Sequence, residues 1–282
     1  MGKIISIIKY EFTETIRRPK ILLVLFFLVV LYESDLSPIY EICKETGLSL
    51  NIFEPFVLMC TRSVNIMLIP LIFIVLISGF PNCKNDYFRM IRVSKKSWLA
   101  GEISFIFLIS FAMIAVLFIG TIVPILNISD AAKNDWSSFM TKLNETNPSI
   151  YIRNIRLTLD ESITIHSLPV GAAVYSFLIM WLNLIISGLL ILLGTVTSKR
   201  MIFFSSALAL AFIGGCSTHF NNRIKWIFPI THTQLGLHYN SIFSKTELPI
   251  YMSYILLVSE AIAIIIACVI LIGKTMFAGE NQ

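Results

Sequence analysis

Apolar residues gather along the chain in six long runs, separated by polar segments of unequal length. The first uninterrupted run, Ile21 to Tyr32, is too short to cross about 30 Å of hydrocarbon at about 1.5 Å rise per residue. This span must therefore continue past Glu33 and Asp35. The second run, Val64 to Phe80, encloses Pro70, which a membrane helix tolerates as a kink when its neighbours satisfy the freed carbonyl. The others cover Ile103 to Leu126, Pro169 to Leu193, Met201 to Cys216 and Ile250 to Ile272.

The pattern predicts an all-α polytopic membrane protein in two parts: an N-terminal amphipathic interfacial helix within 1-20, and a six-helix transmembrane domain over 21-282. Residues 3 to 16 put Ile4, Ile5, Ile8, Phe12 and Ile16 on one arc and Ser6, Lys9, Tyr10 and Thr13 opposite. This helix lies on the membrane surface or packs on protein at the cytoplasmic face. The "RRPK" that follows ends it, because proline cannot continue a helix. The outer segments are about 41-63, 127-168 and 217-249. In the second, "SIYIRNIRLTL" reads as a strand or a surface helix. In the third, "IKWIFPITH" and "LGLHYNSIF" could dip back into the membrane as re-entrant helices.

Composition agrees with this pattern. Of 282 residues, 56% are hydrophobic and only 14% charged, with mean hydropathy +0.80, whereas soluble domains carry about 25% charged residues. Basic residues are retained in short cytoplasmic segments. With the N-terminus inside, thirteen of the 22 lysines and arginines fall inside and eleven of the 17 acids outside. The expectation is a multi-pass protein of the cell membrane with both termini cytoplasmic. Five cysteines stand singly, with no CxxC pair, and read as packing residues. The four histidines, His166, His219, His232 and His238, all lie outside, and their spacing does not form a metal-binding pattern. "GKT" at Gly273 to Thr275 lacks the glycine that a phosphate loop needs five positions earlier, where Cys268 stands. With no paired catalytic groups in the spans, the chain reads as a non-enzyme, with no cofactor of its own and no nucleic-acid partner.

The segment between the second and third spans, "NDYFRMIRVSKKSWLAGE", is basic and amphipathic. On a helical wheel Tyr87, Met90, Ile91 and Trp98 share one side, and Arg89, Arg92 and Lys96 the other. Its bases can hold anionic lipid, at about 1 kcal/mol each. The amphipathic N-terminal helix ending in "RRPKILLVL", the six spans, this segment and "FPITHTQL" between spans five and six together resemble, over nearly the whole chain, the permease subunits of ABC-2 type transporters. That resemblance implies a coupling helix that docks on a separate cytoplasmic ATPase, which binds the ATP and Mg. The matching residues are Asp86, Tyr87, Phe88, Arg89, Ile91, Arg92, Ser94, Lys95 and Lys96. It also implies a second permease, either the same chain or a paralogue, with the substrate path between the two. Where many relatives carry a lysine near the start of span three, this chain has Glu102. The implied activity is export, with amphipathic or antimicrobial peptides favoured as substrate because no large carbohydrate-binding domain is present. A wall polymer, a lipid or an ion, and a non-transporting anchor or immunity role, remain as alternatives.

Within the spans, Glu260 in the sixth stands out, since an ionisable residue at that depth costs roughly 2.5 to 3.5 kcal/mol. It either lines the path or ties span six to a neighbour, with Asn183 of span four as the candidate contact. Glu33 and Asp35 belong at the outer headgroups or beside the exit of the path.

Overall fold

The computed structural model describes residues 2–80, 94–128, 133–146, 148–153, 157–219, 223–240 and 245–275. Nearly all of these are helical. The one sheet among the described residues is a two-residue antiparallel pair, β1 (Tyr239–Asn240) with β2 (Lys245–Thr246).

Five stretches are long and apolar enough to cross a membrane. The first, Ile21–Thr46, joins α2 (Ile21–Leu31) to α3 (Ser37–Thr46) through a π turn, Tyr32–Leu36. The span does run on past Glu33 and Asp35, as its length required. The second is α6 (Lys95–Ile122), extended by a 3-10 turn to Ile125. It begins eight residues before Ile103, so Lys95 and Lys96 form the first turn of the span rather than part of a separate helix. The remaining three are α10 (Pro169–Val196), α11 (Arg200–Ser217) and α12 (Ile250–Thr275).

The second apolar run of the sequence folds differently from its pattern. α4 (Glu54–Thr61), which no periodicity announced, and α5 (Ser63–Ile77) form a pair bent by 85° at Arg62. Helix α5 continues through Pro70, so the sharp break falls at Arg62 and not at the proline. A break among apolar helices exposes backbone and side-chain polar groups, and here Asp35 answers it. Its carboxylate pairs with the Arg62 guanidinium and accepts from Asn65 Nδ2 (3.2 Å) and Ser34 Oγ (2.9 Å). At the start of α4, the fully buried Glu54 accepts from the backbone N–H groups of Asn51 (3.0 Å) and Ser137 (2.6 Å). Asn51 Nδ2 in turn donates to the carbonyls of Lys133 and Asp135. The loop before α4 is thereby stitched to the segment that leads into α7 (Ser138–Thr146).

Helix α10 is the centre of the fold. A helix that is apolar all round belongs in a core, and 72% of its membrane-length window is buried, against 28% for those of α2–α3, α11 and α12. It packs against α12, α11, α6, α4 and α5. Gly188 lets Ile106 of α6 lie where a Cβ would stand 2.6 Å away. Trp181 donates to Ser110 Oγ (3.0 Å), and its ring meets Phe107 and Phe111 edge-on. The turn from α10 to α11 closes through Ser198 at φ 57, with Lys199 N–H donating to Gly194 O (2.9 Å).

The helices alternate in direction. Ser78, just past α5, takes a hydrogen bond from Lys20 before α2 on its hydroxyl and one from Arg200 of α11 on its carbonyl, so these three ends meet at what we term the near end. At the far end the start of α12 joins the loop after α11, Ser253 facing His232. The remaining far-end segments settle one open reading and correct another. Of the two structures open to "SIYIRNIRLTL", residues 148–153 take the helix, α8 (Pro148–Arg153), with 154–156 outside the described residues, and α9 (Glu161–His166) follows. The two apolar clusters of 217-249 form 3-10 turns, Arg223–Ile227, Pro229–Thr233 and Leu235–His238, instead of re-entrant helices. At the near end, Trp98 is a fully buried residue of α6, whereas the wheel puts it on the apolar side of the basic segment.

Asp35→Ala removes the carboxylate that Arg62 and Asn65 share in a largely buried place, and removing one partner of such a pair costs roughly 3–5 kcal/mol. The thermal unfolding midpoint in detergent should fall markedly for Asp35→Ala and recover most of the loss in Asp35→Leu with Arg62→Met. Equal midpoints for Asp35→Ala and wild type would remove this pair from the account.

Candidate functional site

Polar chemistry collects at three levels: the near end, the middle of the bundle and the far cap. At the near end, Asp86, Tyr87, Phe88, Arg89, Ile91 and Arg92 lie outside the described residues. The segment's exit is described. Ser94 has φ 85, a region that L residues rarely adopt, and its hydroxyl caps α6 by accepting from Ser97 N–H (3.4 Å). The positive φ separates what precedes it from α6, which is why Lys95 and Lys96 belong to the span.

Against these first turns of α6 packs α1 (Gly2–Arg17). The face by which this helix packs is not centred on the apolar arc of the sequence. Ile7, Glu11 and Thr15 are the buried stripe, with Ile7 filling the space above Gly101, where a Cβ would stand 2.9 Å from it. Ile5 and Ile16, of the apolar arc, are exposed. The helix has three faces: one on α6, an apolar one of Ile5 and Ile16, and a polar one with Lys3, Lys9 and Arg17, all exposed. Glu102 is wholly buried one position past Gly101.

In the middle, the structure does not bring Asn183, Glu260 and Glu33 together. Asn183 of α10 is buried and lines a water-sized void with Ile186, Ser187, Ala207, Ala211 and Ile230, so it looks toward α11 and the Pro229–Thr233 turn. Its Nδ2 has no hydrogen-bond partner. Glu260 is half-buried on the edge of the α12 stripe Leu257, Ala261 and Cys268, beside the exposed Leu256 and Ile262. No hydrogen bond joins it to Asn183, so the proposed tie between spans four and six is replaced by apolar packing of α10 on α12. Glu33 is exposed on the π turn, and the acid that organises that level is Asp35. Sequence reasoning grouped the two acids together; only the side on which each lies in the turn separates them.

The far cap buries two histidines. His232 Nε2 faces Trp226 O (3.0 Å) and Nδ1 faces Ser253 Oγ (2.7 Å), a pattern that a neutral ring satisfies by donating to the carbonyl and accepting from the hydroxyl. His238 Nδ1 faces Leu248 O (2.8 Å) and Nε2 faces His232 O (3.1 Å). A neutral ring has one N–H, so only one of these carbonyls is served at a time. Burial pushes His232 down to about 4 despite its bond to Trp226 O, with His238 adding in the same direction. Burial also holds His238 below the usual range, against the pull of its two carbonyls. Trp226 packs over both rings, and Lys225 pairs with Glu247 at 3.2 Å. His166 stacks on Tyr239 and His219 follows α11. Among the described residues no three metal-ligating side chains gather. The ring nitrogens of the buried histidines are engaged with the chain itself, so the cap is built to hold α12 against α11.

No protein-family model, no curated protein and no solved structure matches this chain.

Two outcomes follow from the geometry. The unfolded chain takes up protons below about pH 6.5, and His232 in the fold refuses one until about pH 4. Stability is therefore unaffected by this group above pH 6.5 and falls as pH drops toward 4, by on the order of 2 kcal/mol at pH 5. Between pH 7.5 and pH 5 the unfolding midpoint of His232→Gln should gain several degrees relative to that of wild type; an identical pH dependence of the two midpoints would contradict this. Asn183→Leu removes an unpartnered buried donor and fills the void, so it should raise the midpoint by roughly 1 kcal/mol equivalent, and a lowered midpoint would mean that the amide has a partner in the membrane.

Proposed function

We propose that the chain is the membrane permease subunit of an ATP-driven exporter of ABC-2 type, moving an amphipathic substrate, a peptide or antimicrobial, with energy from a separate ATPase. In this reading α4–α5 counts as one broken crossing, giving six, with both termini and the near end in the cytosol. The observation that carries it is the docking of α1 on the first turns of α6, at the end where the basic segment 81–93 joins α5 to α6. An ATPase seated on that segment would push on α1 and α6 together. Helix α6 packs directly on the buried α10, which gives the push a rigid route into the bundle.

The outward faces of α2, α11 and α12 support a path between two copies, because α10 fills the middle of a single chain. Glu260, on the margin of an outward face, is the polar group available to such a path.

Affinity purification from native membranes in mild detergent should bring down a stoichiometric ATPase, and charge reversal of Arg89 and Arg92 should abolish ATPase stimulation while insertion persists. Glu260→Gln should change transport without loss of the assembled complex. A monodisperse chain with no ATPase attached would favour the anchor or immunity role instead.

A further inference from the structure

The water-sized void between α10 and α11 has apolar walls on all sides but one. Ile186, Leu190, Ala207 and Ala211 line it, together with Pro229 and Ile230 of the turn that follows α11. Asn183 and Ser187 supply the polar side. Asn183 is the fifteenth of the 28 residues of α10, so the void lies half-way along the most buried of the spans. Small residues on α11 leave the room for it. Ala207 and Ala211 face the void, and Gly214 admits the turn, since any Cβ there would collide with Ile230.

What the void holds follows from its hydrogen bonds. The Asn183 side chain is buried, and its Nδ2 has no hydrogen-bond partner among the described residues. Ser187 Oγ donates to Asn183 O (3.0 Å), which commits its hydrogen and leaves its lone pairs free to accept. An unused donor therefore shares the void with an oxygen that can still accept. One water molecule plays both parts and has the right size. Apolar cavities stay dry, but a void with room and two or more polar partners takes water, because leaving a buried amide hydrogen unpaired costs more than ordering one water. The turn points the same way: irregular backbone at membrane depth is tolerated where protein covers it or where it lines a wet cavity. An ion finds no charged side chain among the residues that line the void. We propose that this void is a binding site for one buried water, which accepts from Asn183 Nδ2 and donates to Ser187 Oγ and so hydrates the seam between α10 and α11 in the middle of the bundle. The site does not depend on the exporter reading. Asn183→Leu takes the amide and its water away together, and replacing both partners by apolar volume still favours a raised midpoint for that variant.

The test uses the full-length chain in a neutral detergent with isotope-labelled asparagine side chains, and reads magnetisation transfer from water to the Asn183 amide protons by NMR. Their signals are assigned by their loss in Asn183→Leu. Wild type should show a direct cross-peak to water, with the sign of a water that tumbles with the protein. In Ser187→Ala the cross-peak should weaken and persist, because the amide still donates to the water; its complete loss would make the hydroxyl its source and overturn the site. Ala211→Val narrows the void from the α11 side and should erase the cross-peak, whereas an undiminished cross-peak would place the water elsewhere. Dissolved xenon, which enters dry apolar cavities, is the second probe. It should leave the methyl signals of Ile186 and Leu190 in wild type unshifted. Absence of the water cross-peak, or xenon shifts at those methyls, would show a dry void and overturn the proposal. If a variant does not fold, the xenon response of wild type still decides.

Discussion

The fold depends on how it closes one break in a helix. Between Thr61 and Ser63 the chain turns through 85° among apolar neighbours, with an arginine at the corner. Polar groups left unsatisfied in such surroundings cost several kcal/mol each. Asp35 meets the arginine and Asn65 together, and it can do so because the π turn at Tyr32–Leu36 rotates it inward while leaving Glu33 outside. One irregular turn in the first span is thus matched to the corner of the next. Glu54, at the other end of the short arm, repeats the device with backbone donors from Asn51 and Ser137.

The two ends of the bundle are built in opposite ways. The far end is crossed by polar contacts between distant segments: Ser49 with Ser138, Trp136 with Ser167, His232 with Ser253, Lys225 with Glu247. These close the loops over the helices and fix the spacing of α10, α11 and α12. The near end concentrates positive charge instead, on Arg18, Lys20 and Arg200, and presents the polar face of α1 outward. The two ends thus differ in kind, with charge gathered at one and loop closure at the other.

The sequence declared most of the helices, because an apolar run near twenty residues long has few other uses. The starts of α10, α11 and α12 lie at or within one residue of where hydropathy alone put them. Its failures share a cause. α4 is only eight residues, and its Glu54 and Pro55 read as loop until Asn51 and Ser137 are seen to satisfy the carboxylate. Likewise α6 reaches back through Lys95 and Lys96, where hydropathy is low, because Trp98 and Glu102 are buried against neighbouring elements. For α1 the wheel found an apolar arc but could not know that Gly101 offers a seat to Ile7, which moves the packed face around the helix. Polar residues show the limit most clearly. Asn183, Glu260 and Glu33 were picked for depth and charge, whereas the residues that organise the interior, Asp35, Glu54 and His232, are recognised only by partners far away in the chain.

The placement of α10 constrains how this bundle can move. A helix buried on nearly every side in its second half cannot slide without opening contacts to α6, α11 and α12 at once. Packed interiors respond as units rather than by continuous deformation. Helices α2, α11 and α12, by contrast, keep most of their surface outside the fold. α11 is also held at both ends by turns, through Ser198 at the near end and the Pro229–Thr233 segment at the far end. Motion that preserves the core is therefore rigid-body motion of the whole chain against something beyond it. From the near end, α1 meets that core on α6 through the buried stripe Ile7, Glu11 and Thr15, with Ile7 reaching into it beside Gly101.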